Sequence, residues 1–340
     1  MKLLVLGGTH HVGRAVVETA LARGDEVITL NRGQSGVRLP GVEARHADRL
    51  DPEAIATALS DDTFDAVVDT WSFAPVAVRD SARLLSGRAG HYTYISSCSV
   101  YAWPPPPGLD ESAAVVDADP TSTGAGDYAA DKRGGELAVM QEFDGLTMFA
   151  RAGLIIGPYE NVGRMPFWLG RIAAGGRVPA PGPHDQPLQL IDARDIARWV
   201  LDHQPVGTFN TVSRRGHTTM GELLEECVRV TGSDADLVWL APDVIEASGV
   251  EPWTELPVWV PPGSEMSALH DGDISAAYDA GLVCRPIVET VADTWEWLQR
   301  EGTPDPATNR AGTGMDASAA TPVGRRRRLN QSAGVARPTR

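Results

Sequence analysis

Two residues four apart, Tyr128 and Lys132 in Tyr128-Ala-Ala-Asp-Lys132, form the sharpest chemical signal in the sequence. On a helix this spacing puts a phenol and an ammonium on one face, where they can act together. A cation beside a phenol favours the phenolate, which suits such a pair to moving a proton to or from a carbonyl or alcohol oxygen. The chain has only two lysines, Lys2 and Lys132, among 30 basic residues, and six tyrosines. Roughly 0.04 matches to the spacing are therefore expected by chance. A lysine in a chain that otherwise uses arginine points to a compact donor that a planar guanidinium does not replace.

A second signal is Gly7-Gly8-Thr9-His10-His11-Val12-Gly13. Between a strand and a helix, the backbone amides of such a turn can hold a pyrophosphate. The alternative is a glycine-rich turn that binds nothing. The third is Ile95-Ser96-Ser97-Cys98-Ser99-Val100-Tyr101, at the end of an apolar run. Open α/β sheets place ligands at such ends. A serine there can polarise a carbonyl or merely cap a helix.

These residues need elements to position them. Residues 2–6 are a short apolar run and 12–23 carry apolar residues at helical spacing, so the glycines sit in a strand, turn and helix unit. Further strands are read at 26–30, 66–69, 91–96, 147–156, 188–192 and 207–212, with helices at 52–59, 76–85, 128–143 and 193–203. The alternation predicts an α/β protein with a doubly wound parallel sheet. Residues 103–120, with four consecutive prolines and several acids, read as a long loop. From about residue 216 the pattern changes to a helix at 219–231, a Pro- and Trp-rich stretch at 252–262 and a final helix around 288–300. The expected division is a dinucleotide-binding domain over 1–158 plus about 185–215, and a smaller C-terminal substrate-binding cap over about 159–184 and 216–300. Residues 302–340 lack apolar periodicity and read as a disordered, Arg-rich tail.

At 340 residues, 42% hydrophobic and 22% charged, the composition is that of a globular protein large enough for two domains. The net charge is −15, and the tail alone contributes +5 through seven Arg against Asp305 and Asp316, which leaves −20 on the rest. Such acidity disfavours nucleic acid and anionic membranes as partners. Cys98, Cys227 and Cys284 are odd in number and far apart, fitting neither a disulfide framework nor a metal site, so no metal and a reducing cytoplasm are expected. The N-terminus lacks signal-peptide features, and no apolar run approaches 18 residues.

In this order, the glycine turn, the Ser97 to Tyr101 strand end, Tyr128 with Lys132, the strand ending in Gly157-Pro158 and the segment Gln189-Leu-Ile-Asp-Ala-Arg-Asp195 resemble the extended short-chain dehydrogenase/reductase family, of the NAD-dependent epimerase/dehydratase type. The resemblance covers roughly residues 1–300. It implies a Rossmann sheet, Tyr128 as proton donor or acceptor, Lys132 as the partner that tunes Tyr128 and binds the nicotinamide ribose, and Ser97 as the catalytic serine. Hydride would pass between nicotinamide and a substrate carbon, the chemistry being the cofactor's. Gly7, Gly8, Thr9, His10, His11, Val12 and Gly13 would hold the pyrophosphate, with His10 standing where the family's GxxGxxG has glycine. Asp48 with Arg49 matches the adenine contact, and Asp69 and Thr70 end the next strand beside the cofactor. The second strand ends in Asn31-Arg32, offering no carboxylate to a ribose 2′-hydroxyl and a cation to a 2′-phosphate, so NADP(H) is expected over NAD(H).

Trp71, Cys98, Tyr159, Trp168 and Trp253 are the substrate-site candidates. With Phe73, Trp103 and Trp259 they suggest an aromatic-lined pocket for a small ring-containing molecule, although each could equally be core. The expected activity is an NAD(P)-dependent oxidoreductase, NADPH-preferring, that interconverts a ketone and a secondary alcohol with Tyr128 as acid and base. The alternative is an NAD-dependent nucleotide-sugar epimerase with transient oxidation. Cys98-Ser99 stands where sugar dehydratases tend to carry Asp-Glu, which disfavours that branch. A non-catalytic nucleotide-binding sensor would commonly lose the Tyr/Lys pair. The family often dimerises through helices that include the Tyr/Lys helix, so a homodimer is expected.

Overall fold

The computed structural model of the chain describes residues 1–124 and 126–303. Most of the expected tail, from residue 304 onward, lies outside the described residues.

The first half alternates strand and helix. β1 (Lys2–Leu6) leads through the glycine turn into α1 (His11–Arg23), which stops at Gly24 with φ 81°, a conformation that costs glycine nothing. β2 (Glu26–Asn31), β3 (Val42–His46), α2 (Pro52–Leu59), β4 (Phe64–Asp69), α3 (Val76–Leu85) and β5 (Ala89–Ser97) follow. After a long irregular segment come α4 (Tyr128–Glu142) and β6 (Leu146–Ala152). β7 (Leu154–Ile156), α5 (Arg164–Ala173), β8 (Arg177–Pro181), β9 (Pro187–Leu188), β10 (Leu190–Asp192), α6 (Ala193–Asp202) and β11 (Gly207–Thr211) continue the chain. It ends with β12 (Thr218–Thr219), α7 (Met220–Thr231), β13 (Asp236–Leu240), α8 (Pro242–Ser248), α9 (Ser275–Asp279) and α10 (Ile287–Glu301).

Seven strands make one parallel sheet in the order β11-β6-β5-β4-β1-β2-β3, the doubly wound Rossmann arrangement expected. Side chains alternate between its two faces, because successive residues of a strand point to opposite sides. Leu3 and Val5 join Val12, Val16, Ile196 and Val200 on the side of α1 and α6. Leu4 and Leu6 join Ile55, Val78, Leu85, Val139 and Phe143 on the side of α2, α3 and α4. β2 and β3 are laid down on one side of β1, and the chain then crosses back to place β4 on the other side. That switch point opens a crevice at the carboxyl ends of the strands.

A separate apolar cluster gathers Leu154, Ile156, Trp168, Leu169, Leu223, Leu224, Trp259 and Trp297 from α5, α7, α10 and the small sheets around them. The segment Gln189 to Asp195 ties it to the main sheet. The Gln189 amide donates to the carbonyls of Ser213 and Gly272, the Asp192 carboxylate caps α6 and accepts from Thr290 of α10, and Asp195 accepts from the backbone and side chain of Arg285.

Several expected elements differ in detail. The strand read at 147–156 is broken at Gly153, where a Cβ would lie 2.8 Å from Val212 Cγ2. Its last three residues leave the main sheet to pair with β10. The strand read at 188–192 is likewise two short strands in different sheets. β3 carries a polar sequence, Val-Glu-Ala-Arg-His, on the outer edge, so it lacks the alternation that marks a half-buried strand. Among the described residues no helix is long and apolar enough to cross a membrane, and all three cysteines are free.

Candidate active site

The glycine turn is shaped by contact. Gly7 and Gly8 adopt φ values of 123° and 92°, and a Cβ on Gly13 would lie 2.7 Å from the Gly8 nitrogen. The first turn of α1 therefore rests directly on the turn before it. N-cap His10 offers no side-chain acceptor to the helix amides, so the positive end of α1 faces the crevice with donors to give. These features suit a phosphate-bearing dinucleotide. Gly13→Ala should push two pieces of backbone apart, weakening NADH binding by about tenfold or more and stability by about 1–3 kcal/mol. A fluorescence titration and urea unfolding measure both, and an unchanged NADH affinity would remove the turn from the binding site.

The crevice has a volume of about 760 Å³ and is lined by Gly7, Thr9, His10, Arg14, Asn31, Arg32, Thr70, Trp71, Ser72, Phe73, Tyr159, Asn161, Trp297 and Glu301, among others. A second cavity of about 500 Å³ shares Thr9, Asn31 and Gly33 with it and continues under residues 35–42 toward His46. At the end of β2 the Asn31 side chain accepts from the Gly33 amide at 2.8 Å and bends the chain, while Arg32 is exposed. Asp48 is exposed and turns its carboxylate to the Leu50 amide, outside the lining of both cavities. Arg49 and Asp69 are spent on each other through bonds of 3.0 and 2.9 Å, and Arg49 also donates to Ser81 and the Ala77 carbonyl.

Tyr128 opens α4, whose N-cap Asp127 accepts from the amides of Ala129 and Ala130 at 3.0 and 3.1 Å. Its ring is 45% exposed, whereas Lys132, one turn on, is only 2% exposed. The Lys132 ammonium donates to the carbonyls of Trp71 and Ile95, both at 2.6 Å, which fixes it between the ends of β4 and β5. It also lies 4.8 Å from the Tyr94 ring centre. Gly135 permits this approach, since any side chain there would collide with Tyr94. Ser97 ends β5 with its hydroxyl bonded to the Ser99 hydroxyl and amide, both at 3.1 Å. Cys98 donates its thiol to the Arg151 carbonyl, and burial pushes that thiol up to about 12, so it stays neutral.

The aromatic candidates separate. Trp71 and Tyr159 line the crevice. Tyr159 stacks under the Arg14 guanidinium at 3.5 Å and meets Trp297 edge-on at 5.5 Å. Trp168 is buried in the second apolar cluster with its indole donating to the Pro257 carbonyl, and Trp253 packs at the edge of the same cluster. Neither lines the crevice, because Trp168 sits on the buried face of α5 and Trp253, in the irregular segment after α8, packs against the same cluster. Trp103 is exposed.

Arg14, Asn161, Trp297 and Glu301 escaped the reading of the sequence. Arg14 follows the last glycine of the turn directly and was accessible by position. Trp297 and Glu301 come from α10, far along the chain, and only packing brings them to the glycine turn.

A family model described as NAD dependent epimerase/dehydratase family matches residues 3–204. The fold is similar to that of the Bordetella bronchiseptica enzyme WbmG, solved with NAD and UDP, at 16% identity and a TM-score of 0.65 over 90% of this chain and 97% of that one. It is also similar to a Thermotoga maritima UDP-glucose 4-epimerase solved with UDP-glucose, at 17% identity and a TM-score of 0.61 over 88% and 99%. A Thermus thermophilus UDP-glucose 4-epimerase in complex with NAD gives 18% and 0.61 over 88% and 100%. At these identities the likeness is one of fold. A comparison with curated proteins gave no match.

Proposed function

The chain belongs to the NAD-dependent epimerase/dehydratase family and is an enzyme of the extended short-chain dehydrogenase/reductase type. From that premise we propose that it interconverts a secondary alcohol and a ketone on a small molecule, with Tyr128 carrying the proton. The observation that supports this most is the pinning of the Lys132 ammonium by two strand-end carbonyls, one helical turn from Tyr128 and beside the switch-point crevice.

The nicotinamide, when bound, supplies or accepts the hydride. The chain's own residues do the rest. The amides at the start of α1 and in the glycine turn hold the pyrophosphate, and Thr70 and Trp71 border the crevice beyond it. Tyr128 gives its phenolic proton to the substrate oxygen or takes one from it, and the charge of Lys132 stabilises the phenolate side of that exchange. Ser97 sits at the end of β5 with a hydroxyl that can turn from Ser99 to the substrate oxygen.

Asn31 and Arg32, with no carboxylate between them, support NADP(H) as the preferred cofactor. A second reading has a specific observation in its favour. Two of the similar folds are UDP-glucose 4-epimerases and two of the three were solved with NAD, which supports a nucleotide-sugar epimerase that oxidises its substrate transiently.

One titration separates the two. Purified protein is first denatured to test for carried cofactor, then titrated with NADPH and NADH. An empty site that prefers NADPH, and an Arg32→Ala variant that loses about tenfold in NADPH affinity with NADH little changed, is the expected outcome. Tightly carried NAD would replace the reductase by the epimerase. Equal affinities in wild type and variant would remove Arg32 from cofactor choice.

A further inference from the structure

Four residues from distant parts of the chain, Arg14, Tyr159, Trp297 and Glu301, form one connected group in the wall of the crevice. Arg14 is its cation. It lies in the first turn of α1, next to the Gly13 that rests on the glycine turn, and a long side chain there leans back toward the start of the helix.

The guanidinium is fixed before any ligand arrives. Its Nε donates to Glu18, one turn on, at 2.9 Å, and its carbon lies 3.5 Å from the centre of the Tyr159 ring. Tyr159 in turn meets Trp297 of α10 edge-on. A side chain held this way has little rotamer freedom left to lose on binding.

Its terminal nitrogens are uncommitted. Among the described residues neither Nη donates a hydrogen bond, and the Glu301 carboxylate stands 3.8 Å from Nη1, beyond hydrogen-bond length. Glu301 has donors of its own, the Trp297 indole at 3.1 Å and Arg300 at 3.2 Å, so it keeps its place without Arg14. Glu18 and Glu301 are 40% and 38% exposed and open to screening by water, whereas the Arg14 side chain is 16% exposed. His10, the other basic group beside the turn, is held below its ordinary pKa by burial and then by the charge of Arg14. Near pH 7 the positive charge at this point of the crevice is therefore that of Arg14. A planar fork with free donors matches paired phosphate oxygens.

We propose that Arg14 binds the pyrophosphate of the dinucleotide through its terminal nitrogens, as the side-chain partner of the amides in the glycine turn. Tyr159 is the platform that holds the fork, and Glu301 is the anion that competes for it. The proposal rests on the reading of the crevice as the cofactor site and deepens it, and it is independent of the role of Tyr128.

The test is calorimetric and needs no substrate. Protein stripped of any carried cofactor is titrated with NADH and with NADPH, in wild type, R14K, R14M, Y159L and E301Q. R14M is expected to weaken both by about tenfold or more and by the same factor, because the two cofactors share the pyrophosphate. R14K should keep part of the affinity, and Y159L should lose about threefold or more. E301Q should tighten both by about twofold or more, since it removes the competing charge. A guanidinium that merely props α1 against α10 would give the opposite sign or no change. Glu301 is partly exposed at the end of α10, so E301Q keeps the test open if R14M fails to fold. Equal binding by wild type and R14M, or an E301Q variant that binds no tighter than wild type, would overturn the proposal. So would a loss in R14M confined to NADPH, which would place the guanidinium on the 2′-phosphate. A wild type that binds neither cofactor would overturn the reading of the crevice along with it, whereas binding that is indifferent to R14M leaves that reading intact and removes Arg14 alone.

Discussion

Turnover of a Tyr128→Phe variant is expected to fall about 10²–10⁴-fold while its affinity for NADH stays within about twofold of wild type. The substitution removes one oxygen from a ring that is 45% exposed at the start of α4, so it leaves no cavity and strands no buried group. The carbonyls that accept from the Lys132 ammonium, those of Trp71 and Ile95, are untouched. A loss confined to the chemical step is what a missing proton donor produces. Steady-state assays in both directions, with NADH or NADPH titrated separately, measure it. A Phe variant with near-normal kcat would assign the proton to another group.

The largest expected effect on stability belongs to Asp69. Its carboxylate is fully buried, at the end of β4, and accepts two bonds from Arg49, one from the Tyr92 hydroxyl at 2.7 Å and one from the Trp71 amide at 2.9 Å. Asp69→Ala leaves the Arg49 guanidinium buried without a counter-ion, which costs about 3–5 kcal/mol. Urea unfolding at pH 7 should place the midpoint far below that of wild type. The pH dependence has a definite sign. Burial would raise the Asp69 pKa, but the charge and hydrogen bonds of Arg49, with Tyr92 and Trp71, hold it below the ordinary carboxylate value. A depressed folded-state pKa stabilises the protein fully above the unfolded value, near about 4, and the effect fades as pH falls through the folded one. The gap between variant and wild type should therefore persist from neutral pH down to about pH 4 and narrow only below it. A gap that closes well above pH 4, or a loss under about 1 kcal/mol, would contradict the buried pair as the anchor of this strand end.

Asp69 also shows what a residue readable in the sequence keeps hidden until its partners are known. Its place after an apolar run put it beside a cofactor, and Asp48-Arg49 matched an adenine contact. The structure turns the Arg49 and Asp69 side chains on each other, and Asp48 toward its own loop. No spacing in the chain links positions 49 and 69, so the pair exists only because the fold brings the turn between β3 and α2 against the end of β4.

Local periodicity and chain order determined the sheet, the glycine turn and the helix of Tyr128 and Lys132, because a strand's alternation and a helix's turn are properties of neighbouring residues. The polar edge strand β3 and the break at Gly153 were hidden for the complementary reason. An edge strand has little to bury, and whether a chain leaves a sheet depends on what stands opposite, here Val212. Among the aromatics the sequence supplied the residue types and could not assign them. Tyr159 reached the crevice beside Arg14 and Trp297, while Trp168 went into the core next to α7 and α10. The role of Glu160 is the furthest from the sequence, because only the folded backbone puts its buried carboxylate on the amides of Arg164 and Met165, where it caps α5. Residue types and short spacings set which chemistry the chain could carry, and long-range packing set which side chains reached the crevice.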